Sequence, residues 1–472
     1  MEAAPHKSQT PSRSFGDELR QLLRLGGPIA LVQFGMTALN FTDAVMLGHH
    51  DPLALPAMTL GSTLVWGAMM FCMGACTAVD PLLSQAVGAR DAAAVPRVLG
   101  RGAMLAVLLS LPAALLLLPA EFWLRLCGQP EALIADAAAY ARIQAFGLLP
   151  FLWYSLLRSL LSAHAHLLPQ VLTIVAGNLL NVALDWLLIY GKCGLPAMGA
   201  AGASIATVLC RWWMLGALLW FGRHDLLPHL RQLRDAAVRH SAFAFGPALR
   251  LLRLGAPIGL QFLLEMGVFA TTALLIGNLD ARNGVSSGDG PGLGGHQIAL
   301  QLASLSFMVP LGLGMAASVR VGWAVGRGDQ GAVRRSVGAA LVAGATVMSG
   351  FMLLFLLVPG VLAGWFTGHA EVLAVAVALI PIAGVFQIGD GIQVVAIGCL
   401  RGLGDVRSPV VANFVGFWVL GLPLGCWLAF GRGWGPAGFW WGLVLGLFVV
   451  AGGLLLVLHW RLQERRERLR VE

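Results

Sequence analysis

Three stretches of this chain, Gly102–Ala120, Val337–Pro359 and Gly435–Leu458, run without a single acidic or basic side chain. A helix of about 20 apolar residues crosses a hydrocarbon core about 30 Å thick, and each stretch is long enough to do so. Backbone N–H and C=O groups in lipid find no water, so segments of this kind must satisfy them within helices. The expected fold class is therefore an all-α polytopic membrane protein. Only 11% of the residues are charged and 58% are hydrophobic, whereas a soluble domain carries roughly 25% charged residues. Segment 1–20 is polar and lacks the apolar core of a secretory signal, so the first span is expected to direct insertion.

Twelve spans fit, at about 25–48, 53–80, 98–119, 134–157, 168–190, 199–221, 251–278, 293–319, 336–360, 372–399, 409–430 and 435–459. The formal charge of +8 would raise nucleic acid as a partner on a soluble chain, but its placement points to membrane topology. Of the 31 lysines and arginines, only Arg125, Lys192, Arg282 and Arg432 fall in odd-numbered connections and only Arg142 and Arg211 fall well inside spans. The rest lie in the termini, the even-numbered connections or the span ends beside them. Lys and Arg accumulate on the cytoplasmic side, so both termini are expected in the cytoplasm. Arg142 and Arg211 are expected to be paired or to snorkel. The basic stretch RLQERRERLR (461–470) is expected to lie near anionic headgroups. The seven cysteines show no metal-ligand spacing, and Cys72 and Cys76, on one helix face, are expected to be small apolar filler.

The phrase LLRLGGPIA (22–30) returns as LLRLGAPIG (251–259). AVGARDAAAVPRVLG (86–100) returns as AVGRGDQGAVRRSVG (324–338), keeping Asp91 as Asp329 and Gly100 as Gly338, and GAAGASIATVL (199–209) is echoed by GPAGFWWGLVL (435–445). The duplication spans the chain. Each copy holds six spans, an even number, so both enter the membrane from the same side and relate by an axis along the membrane normal. The expected organisation is a cytoplasmic tail at 1–20, an N-lobe at 21–221, a cytoplasmic linker at 222–250, a C-lobe at 251–460 and a basic cytoplasmic tail at 461–472. Pro28 is expected early in the first helix, where its missing N–H costs little. The stretch 278–295, rich in Gly, Ser and Asp, has no counterpart in the first copy and is expected to be an extracytoplasmic loop.

Four carboxylates fall well inside spans, away from their ends: Asp43 in span 1, Asp185 in span 5, Glu265 in span 7 and Asp390 in span 10. A charge near the bilayer centre costs about 2.5–3.5 kcal/mol or more, so such residues are functional candidates. Each belongs to a polar stripe at helical spacing: Asn40 with Asp43, Asn178 and Asn181 with Asp185, Gln261 with Glu265, Gln387 with Asp390. Protonated or amide-bonded packing devices between helices are the alternative. Two carboxylates in each lobe favour a cation-coupling role. Burial disfavours the charged form and a bound cation restores it, which ties occupancy by H⁺ or Na⁺ to local conformation. Asp80, beside Pro81, reads as an interfacial helix end.

The ordered set LRLGGPIALVQ and NFTDAVMLG in span 1, NLLNVALDWLLIYG in span 5, FLLEMGVFATTALLIG in span 7, HQIALQLASLSFMVPLGLGMAASVRVG in span 8 and FQIGDGIQVVAIGCLRGLGD in span 10 covers nearly the whole chain. It resembles the multidrug and toxic compound extrusion (MATE) family, in its bacterial NorM-like branch. The resemblance implies an antiporter of two six-helix lobes arranged as a V, expelling amphipathic, usually cationic drugs in exchange for Na⁺ or H⁺. It implies that Glu265 and Asp390 form the cation site of the second lobe, holding Na⁺ if sodium is the coupling ion. Asp43 with Asn181 and Asp185 would form a first-lobe proton or cation site. Two departures stand out: Met36 replaces a glutamine expected seven residues before Asp43, and Phe386 replaces a hydroxyl-bearing aromatic four residues before Asp390. The expected setting is a bacterial inner membrane, with small-molecule drugs and the lipid bilayer as partners, no nucleic acid, no cofactor beyond the coupling ion, and a functional monomer.

Asn40, Asn178, Gln261, Gln297, Gln301, Phe386 and Gln387 are the candidate cavity residues, Gln297 and Gln301 sharing a face of span 8 behind His296. Helix-helix hydrogen bonding is the alternative for that pair. His49, His50 and Asp51 read as a solvated turn rather than a metal site, and Trp123, Trp365 and Trp460 read as interfacial anchors. A flippase for lipid-linked sugars would call for a cationic cavity, while every cavity candidate here is acidic or neutral. A major-facilitator carrier would carry an aspartate-arginine-glycine-basic run after span 2, which this chain lacks. The sequence contains no nucleophile–base pair, phosphate loop or metal cluster that would mark an enzyme.

Overall fold

The computed structural model describes residues 14–50, 54–282, 284 and 290–464, and among these every regular element is helical. The first half holds α1 (Phe15–His50), α2 (Ala54–Cys76), α3 (Val79–Gly88), α4 (Ala94–Leu117), α5 (Ala120–Leu126), α6 (Glu131–Ala145), α7 (Leu148–Ala163), α8 (Leu168–Leu188) and α9 (Gly199–Phe221). Two short helices follow, α10 (Arg223–Gln232) and α11 (Ala236–Ala242). The second half holds α12 (Phe245–Arg282), α13 (Pro291–Arg327), α14 (Gln330–Leu357), α15 (Pro359–Gly364), α16 (Ala370–Gly402), α17 (Ser408–Asn413), α18 (Leu422–Cys426) and α19 (Pro436–Gln463). Two π-helical stretches, Phe414–Gly421 and Trp427–Gly431, flank α18 and make one span with it.

Among the described residues eleven spans are long and apolar enough to cross a membrane, and α6 with α7 makes a twelfth if the pair, bent by 45°, is one span. The span expected at 134–157 is thus built from two helices with a bend between them. Pro150, in the first turn of α7, has no N–H to continue the ladder back into α6. At the bend, a Cβ on Gly147 would meet Arg211 Nη1 at 3.0 Å, so the small residue leaves room for that side chain.

The described chain forms two compact units, one of residues 31–259 and one of residues 14–30 with 260–464. The expected lobes, 21–221 and 251–460, differ from these at their opening segments: 21–30 belongs with the second unit and 251–259 with the first. Close backbone approaches show why the phrase recurs. In the second unit, a Cβ on Gly26 would meet Leu313 Cδ2 at 2.8 Å, and one on Gly312 would meet the Ala30 backbone at 2.6 Å. In the first, a Cβ on Gly255 would meet the Ala75 carbonyl at 2.2 Å, and one on Gly74 would meet the Gly259 backbone at 2.7 Å. The same small-residue interface is built twice, as membrane helices require for close packing. Pro28 and Pro257 lie well inside α1 and α12 rather than at their first turns, so each removes a mid-helix hydrogen bond.

The second repeated phrase has an equally local reason. Asp91 Oδ1 accepts from the Ala94 N–H at 3.0 Å and closes the turn that leads into α4, and Asp329 Oδ1 accepts from the Ala332 N–H at 2.9 Å as the cap of α14. In the second unit, Arg320 Nε and Nη2 donate to Glu18 at 2.5 and 2.7 Å, and Ser336 Oγ donates to it at 2.6 Å. All three are buried, and they fasten the start of α1 to α13 and α14.

Outside the spans the structure adds detail to one expectation and corrects two. The 222–250 segment is largely helical, and α10 and α11 bury Leu226 and Ala242 within the first unit, where Ala242 Cβ would lie 2.6 Å from a Cβ on Gly100. Here Asp225 Oδ1 lies 2.7 Å from His166 Nδ1, and burial holds the His229 imidazole down to about 4, so it is neutral near pH 7. The expected 278–295 loop is shorter: α12 continues to Arg282 and α13 begins at Pro291, with Asp280 Oδ2 accepting from the Leu293 N–H at 2.8 Å. His49 and His50 continue α1 rather than turning away, while Asp51 lies outside the described residues, as does most of the basic tail.

Candidate functional site

Among the described residues each unit holds one acidic cluster within its spans, with Glu265 of the second half-buried and the three aspartates buried. In the first, Asp43 projects from α1, Asn181 and Asp185 lie one turn apart on α8, and Thr207 comes from α9. Asp43 Oδ1 accepts from Asn181 Nδ2 at 3.0 Å, and Oδ2 accepts from Thr207 Oγ1 at 2.6 Å. Asp43, Asn181 and Asp185 are wholly buried, and the Asp185 carboxyl lies beside that of Asp43. Asp185 Oδ1 and Oδ2 and Asn181 Oδ1 meet no hydrogen-bond donor among the described residues. Three buried oxygens without a donor, next to a second carboxylate, suit a shared proton or a small monovalent cation, either of which supplies the missing positive charge. Arg211 adds a more distant positive charge toward Asp43, with its guanidinium 5.4 Å over the Phe151 ring. Arg142, by contrast, is paired, with Nη2 2.8 Å from Glu121 Oε1.

In the second unit, Glu265 Oε1 accepts from Gln393 Nε2 at 3.2 Å and Oε2 accepts from Asn413 Nδ2 at 3.5 Å. Gln261, one turn earlier on α12, also reaches the Glu265 carboxylate and in turn accepts from Arg401 Nη2 at 3.1 Å. Asp390, on α16 one turn before Gln393, is buried at 7% exposure and lies within reach of the Glu265 charge. Four helices contribute to the shape of this site. A Cβ on Gly398 would sit 2.1 Å from the Gly314 carbonyl, so α13 and α16 cross in near contact. α17 ends at Asn413, where the π-helical stretch begins, a distortion often found at functional positions. Past the end of α16, burial opposes the charge on Asp405. Hydrogen bonds from the Ser408 N–H and Oγ and from Arg461 Nε nevertheless hold its carboxyl below the usual carboxylate range. Among the described residues no three His, Cys, Asp or Glu side chains gather as metal ligands.

The other sequence candidates are placed elsewhere. Asn40 Nδ2 donates at 3.4 Å to the Met36 carbonyl of its own helix. Asn178 Nδ2 pins α8 to α1, donating to the Gly35 carbonyl at 3.1 Å. Gln387 Nε2 bonds to Ser306 Oγ, joining α16 to α13. Phe386 is buried edge-on between Phe269 and Trp440, at centroid distances of 6.2 and 6.0 Å. Gln297 is exposed, Gln301 is half-buried, and His296 is buried with its ring 5.8 Å from that of Trp440.

The MatE family model matches residues 28–187 and 257–427, starting at equivalent prolines of the repeated phrase. The chain belongs to the MatE family. It is 36% identical over 481 residues to a probable multidrug resistance protein NorM of Bradyrhizobium diazoefficiens, covering 99% of both chains. It is 35% identical over 448 residues to the multidrug resistance protein NorM of Burkholderia vietnamiensis, covering 93% of this chain and 92% of that one. Among solved structures, the eukaryotic MATE transporter AtDTX14 superposes with a TM-score of 0.83 at 23% identity, over 97% of this chain and all of that one. An outward-facing multidrug resistance MATE family transporter of the MOP superfamily gives a TM-score of 0.83 at 19% identity, over 98% and 99% of the two chains. This MatE chain is thus a multi-pass helical membrane protein with the MATE transporter fold.

Sequence reasoning about this MatE chain missed four residues of the two clusters: Thr207, Gln393, Asn413 and Arg401. Gln393 was within reach, because it extends the stripe of Gln387 and Asp390 by one more step of three. Thr207 stands with Ser204 and Arg211 at helical spacing but with no carboxylate on its span, and Asn413 is a single amide in an apolar span, both weaker signals. Arg401 counts in sequence as one more basic residue at a span end, and only the contact with Gln261 turns it toward the acidic cluster.

Proposed function

We propose that the chain exports amphipathic, mostly cationic drugs and toxic compounds by antiport against Na⁺ or H⁺. It would work as a monomer in a bacterial inner membrane with both termini in the cytoplasm. One observation carries this reading: two separate acidic clusters lie within the helices of otherwise apolar spans, one per unit, with Asp43, Asp185 and Asp390 buried and Glu265 half-buried. In the first, three buried oxygens have no donor of their own. A carboxylate held there is stable only with a positive charge to meet it, and a site exposed to one side of the membrane at a time converts that need into coupling. The names of the relatives, multidrug resistance proteins, agree with a drug cargo.

Glu265 and Asp390 are the coupling residues of the second unit, and Asp43 with Asp185 and Asn181 those of the first. Full-length protein in vesicles, loaded with ethidium and given one gradient at a time, tests this. Ethidium movement is expected to follow a Na⁺ or a pH gradient and to be lost in Glu265→Gln and Asp390→Asn, with both variants still incorporated. Gradient-driven movement undiminished in both variants would remove the assigned coupling site.

A further inference from the structure

We propose that Arg401 is a tethered counter-cation of the second-unit site, a positioning residue that sets how tightly Glu265 holds the coupling ion. The inference rests on the reading of Glu265 as a cation-coupling carboxylate and extends it to a residue outside that set. Arg401 lies on the last turn of α16, and its side chain reaches across to α12. There its guanidinium donates to Gln261 Oε1 at 3.1 Å and lies 5.3 Å over the Phe262 ring. Gln261 is 1% exposed and passes the contact on, its amide group facing Glu265 one turn later. The chain of contacts is thus Arg401 to Gln261 to Glu265, with the ring of Phe262 fixing the guanidinium from the other side.

The charged groups that face Glu265 are Arg401 and Asp390, both from α16, while α12 supplies Gln261 and α17 supplies Asn413, both neutral. Asp390 raises the negative potential at the site and favours a cation. Arg401 lowers it from about three turns further along the same helix. A Na⁺ or H⁺ that binds Glu265 therefore competes with a permanent positive charge that cannot leave, which keeps occupancy reversible. An ion held by two carboxylates and no such charge would be slow to release.

Trp418 supplies a reporter, because its indole Nε1 donates at 3.0 Å to the carbonyl of Leu264, the residue before Glu265. Purified full-length protein would be titrated with Na⁺ at alkaline pH and, without Na⁺, with acid, following the tryptophan fluorescence that disappears in Trp418→Phe. Arg401→Gln is expected to lower the half-saturating cation concentration roughly tenfold, the scale of one nearby charge in a protein interior. Arg401→Lys, which keeps the charge, should stay within about twofold of the parent. Gln261→Met breaks the link without touching the arginine and should move the midpoint in the same direction as Arg401→Gln. It also serves as the second readout if Arg401→Gln does not yield monodisperse protein. An unchanged or raised half-saturating concentration in the charge-removing variant overturns the proposal. If Glu265→Gln still shows the cation response, the assignment of Glu265 fails instead. The two failures are therefore distinguishable.

Discussion

At the scale of single residues, the carboxylates of both clusters were legible in the sequence because an ionisable group inside an apolar span has no cheap explanation. Their partners were not. Thr207 reaches Asp43 across 164 positions of sequence and Asn413 reaches Glu265 across 148, and helical periodicity carries no information about which helices meet. The two aspartates of the first unit differ in a way that sequence also hides: Asp43 accepts from Asn181 and Thr207, while Asp185 meets no donor among the described residues apart from a proton shared with Asp43. Opposite effects on stability follow. Asp43→Ala leaves Asn181 Nδ2 without its acceptor, whereas Thr207 Oγ1 keeps its bond to the Ala203 carbonyl at 3.0 Å. The expected loss is about 1–3 kcal/mol. Asp185→Asn replaces a repelling acceptor with an amide that can donate to Asp43, so it should leave thermal stability unchanged or raise it. Thermal unfolding of the purified variants in detergent decides the matter, and the reverse order would make Asp185 the anchored carboxylate.

At the scale of elements, span positions were read well because uncharged apolar windows have few alternatives, but helix ends were not. Polar turns continue the helices beyond the lipid-length windows, as in α13, which runs from Pro291 to Arg327 around the expected 293–319. The bend between α6 and α7 was hidden because Gly147 and Pro150 leave hydropathy unaltered while removing the support of a straight helix. Glycine's effect depends on what it faces, which gives a paired test on long helices. Gly398→Ala would force a methyl to 2.1 Å from the Gly314 carbonyl and pry α16 from α13. A cost of about 1–3 kcal/mol is expected, with a weakened cation response because Asp390 and Gln393 ride on α16. Gly350→Ala, on α14 with nothing within 4 Å of its Cβ, should instead stabilise by roughly 0.5–1 kcal/mol through backbone entropy. Melting temperatures of the two variants should move in opposite directions, and a matching fall in both would show that the α13–α16 approach is not what limits stability.

At the scale of the whole molecule, duplication was visible in the sequence, but the partner of each repeated segment was not. Equal phrases at 22–30 and 251–259 show equivalent roles without saying against which helices either one packs. In the structure 14–30 belongs with 260–464, and the opening of α12 belongs with 31–259. The repeats are not fastened equally: the second unit adds the buried ion pair of Glu18 with Arg320, supported by Ser336 Oγ at 2.6 Å. Such a pair gains little over apolar packing, yet breaking it strands a buried charge. Glu18→Gln leaves the Arg320 guanidinium, 4% exposed, without its counter-charge, and the expected cost is about 3–5 kcal/mol. Adding Arg320→Met to Glu18→Gln removes the stranded charge and should recover most of that loss, a coupling of several kcal/mol between positions 302 residues apart. Thermal unfolding of the two single variants and the double variant measures it. If the double variant shows the sum of the single losses, the start of α1 is held to this unit by its Gly26 and Ala30 packing alone, and the ion pair adds nothing to the join.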